Sequence, residues 1–161
     1  MLVLLPYDRA AAVRYAHIWA YGRNPRYYDY ESIGGDCTNF ASQCIYAGTG
    51  VMNYTPTFGW YYINANDKAP AWTGVEYLHN FLTRRTPSAG PFAGEVAPER
   101  IRPGDIVQLS FDGAGWQHSP VVVAAARPRP CADILVAAHG TDGADRPLST
   151  YDFVREREKI M

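Results

Sequence analysis

The sequence predicts an α+β fold, with N-terminal helices packed on a C-terminal antiparallel β-sheet. Two observations carry that expectation. In the first half, as far as about residue 85, apolar side chains recur at helical spacing. From residue 101 onward short β-rich runs alternate with turn signals. Helices first and strands second indicate an antiparallel sheet covered by helices rather than alternating βα units. The 161 residues suit one domain spanning 1–161, since domains run to roughly 100–200 residues. With 47% of its residues apolar, the chain can build a core without disulfides or a structural metal.

The elements follow in order. Residues 7–21 read as an amphipathic helix, because Ala12, Tyr15, Ala16 and Trp19 share one face and Gly22 with Asn24-Pro25 closes it. A tyrosine-rich loop leads to a second helix over about 36–47, with Gly48 placed as its stop. Its apolar stripe is Cys37, Phe40, Ala41, Cys44 and Ile45. Residues 48–73 show no clean period and hold Tyr54, Phe58, Trp60, Tyr61, Tyr62 and Trp72, which is the signature of a long structured loop. A third helix over 74–85 carries Val75, Leu78 and Leu82 on one face and Arg84-Arg85 at its negative end. Residues 86–98 are a connector. DIVQLSF, SPVVVAAA and DILVAAH are strands, the last two joined by a turn near Arg127 to Pro130, while residues 151–160 fit either a strand or a helix.

Composition excludes several functions. Lys and Arg number 15 against 16 Asp and Glu, without a basic block, so nucleic acid is not an expected partner. The four histidines are scattered and no C-x-x-C pair exists, so neither a metal nor another cofactor is expected. Leu2 to Leu5 is too short for a signal-peptide core, and no run approaches the roughly 20 apolar residues of a membrane span. A cytoplasmic protein without a membrane partner is therefore expected. Three cysteines, an odd number, leave at least one free thiol, in keeping with a reducing compartment.

The stretch Gly34-Gly35-Asp36-Cys37-Thr38-Asn39-Phe40 is the most informative in the chain. Two glycines permit a sharp bend and Asp36 is a suitable N-cap, which sets Cys37 in the first turn of a helix. There the unpaired N–H groups and the helix dipole favour an anion, so the thiol is expected to ionise more easily than usual. The same amides are candidate oxyanion donors. A cysteine on a helix stripe is ordinarily a small buried hydrophobe, and Cys44 is read that way. Cys131, beside Pro130, is read as a loop residue without function.

A cysteine nucleophile needs an imidazole, and that imidazole needs a group to orient it. His118 opens one apolar strand and His139 closes the next, so an antiparallel hairpin makes them neighbours at one sheet edge. His118 is the expected base and His139 its orienting group, with Asp142 as rival in that role. Asp142 has an alternative reading as half of an Asp-Gly turn. His17 and His79 lie within helices and are read as structural.

These residues resemble a known family. GGDCTNFASQC, then Pro103-Gly104-Asp105-Ile106-Val107, then His118-Ser119-Pro120-Val121-Val122, then Ala138-His139, are similar to the Putative amidase domain family. That family is similar to NlpC-type peptidases and CHAP amidases, which share a papain-like fold. The similarity extends from YDRAAAVRYAHIWA to RPLSTY and includes NYTPTFGWYYIN and KAPAWTGVEYLHNF. It implies a papain-like fold and an order of Cys37, after its Asp36, then His118 and a third polar residue, His139; Asp36, Asn39 and Asp142 are read as supporting residues. Papain-like enzymes often place a glutamine oxyanion donor shortly before the cysteine, but here Gln43 follows it. The resemblance implies that a tyrosine among Tyr27, Tyr28 and Tyr30 takes that part.

The expected chemistry is acyl transfer to water through a thioester, on a peptide or other amide substrate. Cell-wall-type peptides of bacteria are the class that the resemblance implies. Tyr28, Tyr30, Trp60, Tyr61 and Trp116 are the expected substrate-binding aromatics, although such side chains equally suit packing of a long loop. Two other readings remain open: acyl transfer to an amine, and a catalytically silent peptide- or glycan-binding module that uses the aromatic groove.

Overall fold

The computed structural model describes residues 2–126, 133–152 and 159–160. Helix α1 (Arg9–Trp19) begins at Asp8, whose carboxylate accepts a hydrogen bond from the Ala11 N–H. Its buried side chains are Ala12 and Ala16, which let it lie close to helix α2 (Cys37–Thr49). Every residue of α2 from Thr38 to Ile45 is buried, not one stripe alone. A helix enclosed on all sides must satisfy its polar side chains internally. Gln43 accepts from the Tyr15 hydroxyl and Ser42 from the Trp60 indole N–H.

Gly48 does not end α2. It lies inside the helix, where a Cβ would come within 2.3 Å of the Tyr7 ring, so its role is close approach. The helix ends at Gly50, left-handed at φ +63°, whose N–H bonds the Tyr46 carbonyl. The segment read as a loop over 48–73 holds more order than its composition suggested. It contains a hairpin, β1 (Tyr62–Asn64) with β2 (Asp67–Lys68), and a short helix, α3 (Pro70–Thr73). Helix α4 (Val75–Leu82) buries Leu78, Phe81 and Leu82, and Arg84 closes it by donating to the Phe81 carbonyl.

The strands are antiparallel, as expected for an α+β chain. β4 (Val121–Ala125) pairs with β5 (Ile134–Ala138), and β5 with β6 (Gly143–Pro147). β6 was not foreseen, because Gly-Ala-Asp-Arg-Pro has no apolar alternation; its register is dictated by β5. β3 (Val107–Gln108) pairs with β7 (Lys159–Ile160), and bridges at Ile106–Val121 and Leu109–His118 tie the β3 segment to β4. The turn expected at Arg127 to Pro130, Cys131, and most of the run over 151–160 lie outside the described residues.

The sheet separates two apolar clusters. Phe40, Ala41, Trp60, Trp72, Val121 and Ala137 belong to the helical side, whereas Leu109, Val122, Val136 and Leu148 belong to the other. Among the described residues no helix is long and apolar enough to cross a membrane.

Candidate active site

Gly34 (φ +117°) and Gly35 (φ +98°) both hold backbone conformations that disfavour side chains, and they turn the chain into α2. Asp36 occupies the N-cap position, but its side chain makes no capping bond. Its carboxylate turns inward instead. Oδ1 accepts from the Tyr30 N–H at 2.9 Å and from Asn39 Nδ2 at 2.8 Å. Asn39 in turn donates to the Tyr28 carbonyl and accepts from the Trp72 indole N–H. Asp36 and Asn39 are thus buried brackets that fix the bend before the helix.

Cys37 keeps part of its surface open, whereas Cys44 is buried. The Cys37 sulfur lies 3.7 Å from Thr38 Oγ1, and the backbone N–H groups of Thr38 and Ser119 favour its anionic form. Thr38 Oγ1 lies 3.2 Å from Ser119 Oγ, which joins the head of α2 to the entry of β4. The residue before Ser119 is His118. Its backbone is held by Leu109, and its ring sits 6.3 Å from the Phe111 ring and 5.3 Å from that of Tyr151. The helix start that carries the thiol and the strand entry that carries the imidazole are therefore in contact.

Burial sets the protonation of both groups. It pushes the Cys37 thiol above its ordinary value, against the hydrogen bonds from Thr38 and Ser119. Burial, helped by the positive charge of Arg146, lowers His118 to about 4. The expected easily ionised thiol is thus corrected: desolvation outweighs the helix terminus, and at neutral pH the two groups rest as thiol and neutral imidazole.

His139 does not orient His118. Its Nδ1 lies 2.5 Å from Asp36 Oδ2, and its Nε2 lies 2.9 Å from the Trp19 carbonyl oxygen. That carbonyl can only accept, so Nε2 carries a hydrogen, and a second proton lies between the ring and the carboxylate. The ring is 99% buried and stacks on Phe40, with centroids 4.1 Å apart. The reason is strand alternation. Val121 faces Ala137 across the hairpin, so the backbones of His118 and His139 are close, as expected. Their side chains leave opposite faces of the sheet, one toward Tyr151 and the other toward Phe40. Nor does Asp142 replace it, because its two oxygens accept from Arg23 at 2.8 and 3.1 Å. Among the described residues no side chain hydrogen-bonds the His118 ring; the Phe111 and Tyr151 rings flank it.

The aromatic expectations divide. Trp60 is fully buried between Trp72 and Phe81 and belongs to the core, not to a substrate groove. Its indole N–H donates to Ser42 Oγ at 3.0 Å. Ser42→Ala should leave that N–H unpartnered and cost about 1–3 kcal/mol of stability by chemical denaturation. Tyr30 is buried and its hydroxyl is committed to the Ala65 carbonyl, so it has no donor left for an oxyanion. Tyr28 is about half exposed and lies edge-on to Tyr30, while Tyr61 packs on Tyr54 away from the thiol's contacts. Trp116 is part-exposed in the loop before His118, where its backbone N–H donates to the Glu76 carboxylate. A cavity of about 500 Å³ lies by the far end of α2, lined by Ile45, Thr49, Leu5 and Phe92 among others, and contains neither Cys37 nor His118.

Tyr151 and Arg146 escaped the sequence reading. Tyr151 touches the His118 ring and lies close enough to Cys37 for an ionised thiolate there to raise the Tyr151 hydroxyl pKa. The only signal was their place in RPLSTY, and without β6 nothing linked that segment to the thiol. Arg23, which reaches Asp29, Asp36 and Asp142, left no sequence signal at all. No three His, Cys, Asp or Glu side chains among the described residues form a group that could hold a metal ion.

Comparison with known proteins adds two findings. A family model described as Putative amidase domain matches residues 6–160. Uncharacterized protein YhbB of Bacillus subtilis (strain 168) is 34% identical over 122 residues, which is 73% of this chain but only 37% of that protein. No solved structure matches.

Proposed function

Because the chain belongs to the Putative amidase domain family, we propose that it cleaves an amide bond through a thioester on Cys37, with His118 carrying the protons. One observation supports this reading above the others: Thr38, next to Cys37, hydrogen-bonds Ser119, next to His118, so the thiol and the imidazole are borne by neighbours of one contact. A helix-borne cysteine facing a strand-borne histidine is also the arrangement of papain-like hydrolases, which the sequence resembles. We extend the reading to that fold on those grounds.

In the proposed reaction His118 takes the thiol proton as the sulfur attacks the substrate carbonyl carbon. The neutral resting pair makes this transfer part of the step rather than a prior equilibrium. The carbonyl oxygen becomes an oxyanion, for which the uncapped amides of the first turn of α2 are the nearest fixed donors. The imidazolium then protonates the leaving amine and the C–N bond breaks. Water, losing a proton to His118, attacks the thioester and releases the acid and the thiol. A peptide of the cell-wall type is the substrate class we favour. The burial of Trp60 and Trp72 weakens the rival reading of an aromatic-groove binding module.

An activated peptidyl ester should leave its acyl group on Cys37 and none on Cys44, as located by mass spectrometric fragmentation. An acyl group that never appears on Cys37 would rule out the thioester route.

A further inference from the structure

Arg146 has no place in the proposed reaction, yet it stands one aromatic ring away from the base. It lies on β6 opposite Val136, which in turn faces Val122, so all three share the sheet face on which the His118 ring lies. Its guanidinium carbon stacks 3.8 Å from the centroid of the Tyr151 ring, and the same ring lies 5.3 Å from that of His118. Thr150 fixes the orientation of the fork. Nε donates to Thr150 Oγ1 at 2.7 Å and Nη2 to the Thr150 carbonyl at 3.2 Å.

Those two bonds occupy one edge of the guanidinium and leave the other, made of Nη1 and the second Nη2 hydrogen, with its parallel N–H groups. Two parallel donors in a plane match the two oxygens of a carboxylate. Among the described residues no Asp or Glu forms an ion pair with Arg146, although the neighbouring Asp145 pairs with His17. A guanidinium held stiffly on an aromatic ring beside the base, with an end-on edge that no Asp or Glu among the described residues occupies, is arranged to receive an anion.

We propose that Arg146 is a specificity residue that binds a carboxylate of the substrate next to the scissile amide, so that the enzyme prefers acidic or carboxyl-terminated peptides over their amides. The inference rests on Cys37 being the nucleophile. After burial, the charge of Arg146 also lowers the proton affinity of His118, in keeping with a field that reaches the base.

The test uses two alkylating agents of nearly the same shape, anionic iodoacetate and neutral iodoacetamide. Each forms an S–C bond to Cys37 and expels iodide, and both consume the same thiolate, so the ratio of their rates cancels the thiol's ionisation. The ratio at Cys37 in the full chain is compared with that of a small free thiol at low salt. It should exceed the free-thiol value by roughly tenfold. The excess should vanish in Arg146→Gln, survive in part in Arg146→Lys, and shrink in the wild type near 0.5 M salt, where screening shortens to a few ångströms, about 4 Å. A wild-type ratio no higher than the free thiol's, an excess indifferent to salt, or a Cys37 that reacts with neither reagent overturns the proposal. Peptide substrates ending in carboxylate or carboxamide separate the two readings. If iodoacetate is preferred and no amide is cleaved, the anion site stands and the hydrolase does not.

Discussion

Cys37→Ala should abolish amide hydrolysis while the protein still folds, and His118→Gln should lower kcat/KM by roughly 10²–10⁴-fold. Truncating a part-exposed thiol removes little buried area, so the first variant should melt near the wild type. If it unfolds instead, the residue is core and the nucleophile lies elsewhere. His118 carries a second, independent signature in pH. Its folded value, about 4, lies below the ordinary value of 6.5, so the unfolded chain binds the proton first as pH falls. Stability should therefore be intact above pH 6.5 and decline by roughly 3 kcal/mol in all as pH falls toward 4, with no further loss from this group below. In His118→Gln that decline should disappear. Activity should follow the same group from the other side, persisting through weakly acidic pH and failing near 4 as the base protonates. An acid limb near the ordinary histidine value, or a pH dependence of stability that survives the substitution, would contradict a buried neutral base.

The head of α2 was legible because its chemistry is local. Two glycines, an aspartate and a cysteine in succession specify a bend and a helix start whatever surrounds them. The pairing of His118 with His139 was half legible. An antiparallel hairpin does bring the two backbones together, but which face each ring takes depends on whether the register sum is odd or even. Val121 opposite Ala137 makes the sum even, so an even-numbered and an odd-numbered histidine diverge. That parity is decided by the turn together with the register shift between Val122 and Ala124, which changes the sum from 259 to 258, and nothing in the apolar run announces that shift. β6 was illegible for a related reason, as its Asp145 bonds His17 and its Arg146 stacks on Tyr151, so neither position is apolar in the sequence. The ionisation of Cys37 was misread because the sequence reports a helix terminus but not the protein packed around it. Trp60 carried the same difficulty, since an aromatic in a loop looks alike whether it faces solvent or Phe81.

Asp36→Ala should destabilise the fold by about 3–5 kcal/mol, far more than Asp36→Asn. The carboxylate is fully buried and receives the Tyr30 N–H, the Asn39 amide and the proton it shares with His139. Alanine strands all of these donors without water to replace their partner, and it leaves Arg23, 3.8 Å away, facing an empty position. Asparagine can keep the pattern. Its oxygen accepts from Tyr30 and Asn39, and its amide donates to Nδ1 of a neutral His139, whose Nε2 hydrogen still reaches Trp19. The hydrogen-bond pattern, more than the charge, is then what the position requires, and denaturation midpoints of the two variants measure the difference. Should asparagine prove as damaging as alanine, the proton shared with His139 must be bound to the ring as a full ion pair. Should both variants keep their stability and lose only activity, the pair acts on the reaction through the position of Cys37, one residue along, rather than by holding α2 to the sheet.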